Sequence, residues 1–132
     1  MRGSEGAELY DAIQKAVDGA RGEGAQYVIL LAHLGNSEKS RPYTYADVIE
    51  HTSGIDAVLD GHSHDMDSVS VKNAIGKPVL RQACGTKLEC IGWLRISAVD
   101  GGIETGLSTG QGSSGVRMCR ILGRWLTIWA TT

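Results

Sequence analysis

Apolar residues Leu9, Ile13, Ala16, Val17 and Ala20 recur at helical spacing near the start of the chain, while Glu5, Glu8, Asp11, Lys15 and Asp18 take the other positions. The pattern predicts a helix from Glu5 to about Arg21 that lays one face on a sheet. Ser4 is its expected N-cap, acidic residues in the first turn suit the helix dipole, and Gly22 and Gly24 end it. The pattern then changes. Gln26–His33 is apolar almost throughout, as expected of a central strand covered on both faces.

Gly35–Pro42 is polar and contains proline, so it reads as a loop. Thr44 is an expected N-cap for a short helix over Tyr45–Thr52, with Val48 and Ile49 turned inward and His51 exposed. A second apolar run, Ala57-Val58-Leu59, follows Gly54 and delivers the chain to Asp60-Gly61. Strand, helix, strand predicts a right-handed crossover with parallel strands. Ser68–Val71 alternates as a short edge strand, Val79–Gln82 is a further strand, and Leu88–Ser97 is another, with apolar residues on both faces. Asp100-Gly101-Gly102 is a hairpin turn with Ile103–Leu107 returning. The whole predicts an α/β fold, a mixed β-sheet with packed helices, in which the later strands extend the sheet antiparallel.

Histidine marks both strand ends. His33 follows the first run, and His62 and His64 follow the second within Asp60-Gly61-His62-Ser63-His64-Asp65. In an extended segment residues two apart share a side, so His62 and His64 are expected to face one cavity while Ser63 faces away. Imidazole is the commonest metal ligand near neutral pH, and α/β proteins place their chemistry at the carboxyl ends of strands.

Val28-Ile29-Leu30-Leu31-Ala32-His33-Leu34-Gly35 and Ile55-Asp56-Ala57-Val58-Leu59-Asp60-Gly61-His62-Ser63-His64-Asp65 resemble the last two metal-binding blocks of the calcineurin-like metallophosphoesterases, in the 5′-nucleotidase/2′,3′-cyclic-nucleotide phosphodiesterase branch. The resemblance continues through Asn73–Gln82 and Gly85–Gly92 and covers roughly Ala7 to Leu107. It implies a metal-dependent hydrolase of nucleotide phosphoesters with two divalent metals side by side. His33 and His62 would ligate one and His64 the other. Such a pair clamps a phosphoryl oxygen and activates a bridging water, and histidine suits Zn, Mn, Fe or Co. No catalytic or substrate-binding residue is assigned.

The family's upstream blocks, an Asp-x-His, a Gly-Asp and a Gly-Asn-His-Glu, do not occur before Tyr27. The expectation is therefore a truncated metallophosphoesterase half-sandwich over 1–107, with a second reading as a non-catalytic, folded oligomeric fragment that keeps at most a three-histidine metal site. In the first reading a neighbouring subunit could supply carboxylates such as Asp60, Asp65 or Asp67. An exposed sheet edge predicts a homo-oligomer.

Residues 108–115 are Ser/Gly-rich and read as a linker, and 116–132 form a tail with no counterpart in the family. On a helix over Val116–Trp129, Arg117, Arg120 and Arg124 share one face, fit for a membrane surface or a partner; the favoured account is packing against the chain or its symmetry mate to cover an edge. A net charge of −2 does not support general nucleic-acid binding. No run is long enough for a membrane span and no signal peptide is evident, although members of the family are often extracytoplasmic or bound to the cell wall. Cys84, Cys90 and Cys119 have no metal-type spacing and read as small buried thiols. Arg41 reads as a solvated loop residue, with a phosphate contact as the alternative.

Overall fold

The computed structural model describes residues 6–109 and 128–131, the last four by their backbone alone. The chain is an α/β protein with two helices, a mixed five-stranded sheet and a separate two-stranded sheet. Helix α1 (Ala7–Gly22) buries Tyr10, Ile13, Val17 and Ala20, the face that its apolar spacing marks. Its N-cap is Gly6 in the left-handed region, with no side-chain cap; Ser4 lies outside the described residues. At the far end Arg21 reaches Asp56 at 2.5 Å and the Gly54 carbonyl at 2.8 Å, tying the helix to the turn before the second strand.

Strands β1 (Ile29–His33) and β2 (Ala57–Asp60) are parallel neighbours, with Ile29 beside Ala57 and Ala32 beside Asp60. Burial in β1 is one-sided: Leu30 is buried while Ile29 and Leu31 are half-buried. Helix α2 (Tyr45–His51) lies between the two strands in sequence, and Thr44 and Asp47 form a reciprocal capping box at its start. Val48 and Ile49 join the core with Leu30, Leu34, Ile55, Val58 and Val79. His51 is exposed and stacks on Tyr10 with ring centroids 4.5 Å apart.

The order in the large sheet is β3-β4-β2-β1-β7. β3 (Met66–Lys72) is the edge strand that its alternation predicts, and it pairs antiparallel with β4 (Pro78–Cys84), which in turn lies parallel to β2. β7 (Ile128–Thr131) pairs parallel with β1, Leu30 beside Ile128 and His33 beside Thr131. Ile128 and Trp129 are therefore strand rather than helix, because the free edge of β1 supplies backbone partners that a helix end lacks. Residues 110–127, which hold most of the linker and the arginine-bearing stretch, lie outside the described residues.

β5 (Cys90–Ile96) and β6 (Ile103–Thr109) do not extend the main sheet as expected. They form their own antiparallel hairpin, closed by the Asp100-Gly101-Gly102 turn. The hairpin packs beside β3 and β4, with the Ser68 and Thr105 hydroxyls 2.5 Å apart. Its outer face is wet: Ile91 is 59% exposed and Trp93 36%. Cross-strand pairing within the hairpin satisfies its ladder locally, so the apolar residues of β5 do not require a second buried face.

Candidate metal centre

The carboxyl ends of β1 and β2 lie side by side, which brings His33 and His62 into contact. Their rings meet edge to face with centroids 4.8 Å apart, and both side chains are exposed. Gly35 makes this approach feasible. Its φ is +74°, and a Cβ there would fall 2.5 Å from His62 Cδ2 and 2.8 Å from Ser63 Oγ. Residue 35 therefore has to lack a side chain for both backbone and contact reasons.

His64 takes a different place. Residues 62 and 63 form a turn and His64 has φ +58°, so the segment is not extended and the alternation that would aim His62 and His64 together does not operate. Ser63 does not face away either: its hydroxyl accepts a hydrogen bond from the Asn36 amide at 2.8 Å. Among the described residues no group of three or more His, Cys, Asp or Glu converges as a metal cage. Two exposed imidazoles in contact fit the first ligands of a borderline divalent metal, and a complete site needs further donors.

The carboxylates beside the histidines are committed elsewhere. Asp60, at the end of β2, accepts from the Leu34 amide at 2.9 Å and the Gly35 amide at 3.0 Å. Arg81, in the middle of β4, donates to Asp60 at 3.0 Å, to Asp65 at 3.2 Å and to Asp67 at 2.6 Å. Its guanidinium also sits 4.3 Å from the centre of the Tyr45 ring. Burial opposes the charge on Arg81, but the hydrogen bond and ion pair with Asp60, with Asp67 behind them, hold its pKa above the ordinary arginine value. Asn36 completes the web by donating to Asp65 at 2.9 Å. Four segments therefore meet on one buried cation: the loop after β1, the end of β2, the start of β3 and the centre of β4. This engagement leaves Asp60, Asp65 and Asp67 poorly placed to serve as ligands for a neighbouring subunit.

Sequence reasoning missed Arg81, Tyr45 and Asn36. The available signal was an arginine, with Gln82 beside it, in the middle of the strand-forming stretch Val79–Ala83, against acidic residues at 60, 65 and 67. Arg41 is the exposed loop residue expected of it, and it also donates to Asp47 at 2.9 Å, bracing the start of α2.

The site defines an α/β protein with paired imidazoles at the ends of adjacent parallel strands. No family model matches the chain. No curated protein matches it in sequence.

Proposed function

We propose that the chain is the C-terminal part of a calcineurin-like metallophosphoesterase catalytic domain, of the 5′-nucleotidase/cyclic-nucleotide phosphodiesterase type, with His33 and His62 as ligands of one metal and His64 as a ligand of a second. The observation that carries this reading is the meeting of His33 and His62 at the carboxyl ends of two parallel strands, where the motif resemblance expects them. A bound Zn, Mn, Fe or Co ion would supply Lewis acidity toward a nucleotide phosphoester. The chain's own contribution is to hold the two imidazoles in register: β1 and β2 set the strand ends, and Asp60 fixes the Leu34–Gly35 turn beside them.

A second reading is favoured by the Arg81 cage. With Asp60, Asp65 and Asp67 engaged by one guanidinium, this chain by itself is a metal-holding, non-catalytic fold, and phosphoester cleavage belongs to a more complete parent. Among the described residues no strand pairs with the outer edge of β3, and a homo-oligomeric contact is proposed there. No helix among the described residues is long and apolar enough to cross a membrane.

Hydrolysis of bis(p-nitrophenyl) phosphate by the Mn- or Zn-loaded chain separates the two readings. Turnover that His62→Ala abolishes establishes a working phosphoesterase. Metal retention without turnover establishes the second reading, and turnover equal in parent and variant removes His62 from the site.

A further inference from the structure

Cys84 and Cys90 occupy the two ends of the turn that links the main sheet to the hairpin, and they are not equivalent. Cys84, the last residue of β4, is exposed, whereas Cys90, the first of β5, is buried; both are free thiols. Of the three cysteines expected to be small buried thiols, Cys90 is buried, Cys84 is exposed and Cys119 lies outside the described residues. The Cys90 thiol donates to the Cys84 carbonyl oxygen at 2.6 Å. Ordinary backbone geometry then puts the Cys90 sulfur within about 5 Å of the Cys84 Cα.

The Cys84 side chain points toward the same surface. Its Cβ and Sγ lie 3.2 and 3.8 Å from where a Cβ on Gly92 would stand, and Gly92 shares a strand face with Cys90. From the other side, the Cys90 sulfur lies 3.9 Å from where a Cβ on Gly85 would stand. Glycine at both positions lets the two cysteine side chains come close to the facing backbone, with Met66 packed over Gly85 and Gln82 beside Gly92. The intervening turn holds Lys87 and Leu88 at φ +54° and +60°, and Leu88 is 98% exposed. These two side-chain-bearing residues sit in a region of backbone space that disfavours them.

We propose that Cys84 and Cys90 form a reversible disulfide driven by hydrogen peroxide, closing the Gly85–Glu89 turn into a ring. The exposed Cys84 thiolate attacks one peroxide oxygen, breaking the O–O bond and giving a sulfenic acid and hydroxide, which takes up a proton to become water. The Cys90 thiol then attacks the Cys84 sulfur, forming the S–S bond and releasing the sulfenic oxygen with the thiol proton as a second water. Each sulfur loses one electron overall and both peroxide oxygens are reduced. A dithiol reductant reverses the step by thiol–disulfide exchange. The ring joins β4 covalently to β5, so it restrains the hairpin against the sheet edge close to Asp65, whose carbonyl accepts the Gly85 amide at 2.7 Å.

The test uses the full chain carrying Cys119→Ser, treated with hydrogen peroxide, unfolded and alkylated. The expected result is joint loss of both thiols, an intact mass two hydrogens lighter, and one peptide pair joining Cys84 to Cys90, all restored by dithiothreitol. Adding Cys90→Ser to that background should leave Cys84 as a sulfenic acid that dimedone traps. Oxygen addition at Cys84 with the Cys90 thiol still free overturns the proposal, as does a disulfide that forms only between chains.

Discussion

Arg81 and Asp60 face each other across β4 and β2 at 3.0 Å, with both side chains fully withdrawn from solvent. Two charges in that position cost several kcal/mol each to desolvate, and the contact holds because Asp60 also receives the Leu34 and Gly35 amides. Arg81→Met keeps the length of the side chain and strands the Asp60 charge. The expected loss of stability is about 3–5 kcal/mol. Urea unfolding measures it, and a loss under about 1 kcal/mol would show that the pair does not organise the strand ends.

The start of α2 predicts an acid-sensitive contribution. Burial pushes the Asp47 carboxyl upward, but hydrogen bonds from the Thr44 hydroxyl, the Arg41 guanidinium and the Thr44 amide outweigh it and leave the pKa below its ordinary value. Protonation is therefore harder in the folded chain than in the unfolded one. The stability from this group is present above the unfolded carboxylate pKa and fades as pH falls through the lower folded value. Unfolding followed from about pH 6 to pH 3 should show a decline that Asp47→Asn flattens. Thr44→Ala, which removes the capping hydroxyl, should cost about 1 kcal/mol at neutral pH.

Gly35→Ala tests how the two histidines meet. The left-handed backbone alone makes a side chain there cost about 1–2 kcal/mol. The added methyl also falls on His62 and Ser63, so it should move His62 away from His33 and weaken metal retention more than it weakens the fold. Ring-proton shifts of the two histidines report the separation directly. Unchanged shifts in a folded variant would contradict the contact.

Elements built from local periodicity were legible in the sequence: the apolar face of α1, the parallel pair β1 and β2, the Thr44 cap and the Asp-Gly-Gly hairpin. What escaped depends on pairings between distant segments. Nothing local to Val79–Ala83 says that β4 inserts between β2 and β3, and that insertion is what buries Arg81 among carboxylates 14 to 21 residues away. The histidines illustrate the same limit. Strand ends were readable, so His33 and His62 were rightly placed at neighbouring tips, but alternation carried past Gly61 fails because the chain turns at 62 and 63. Cys84 was read as buried because cysteine usually is, while its place at the last position of β4 exposes it.

Metal stoichiometry is the most direct test of the central claim. The purified chain, loaded with Zn or Mn and passed through gel filtration, should keep about one metal ion per chain if the paired imidazoles nucleate a site, and His33→Ala or His62→Ala should release it. A parent chain that emerges without metal, or variants that retain as much metal as the parent, would contradict the assignment of His33 and His62.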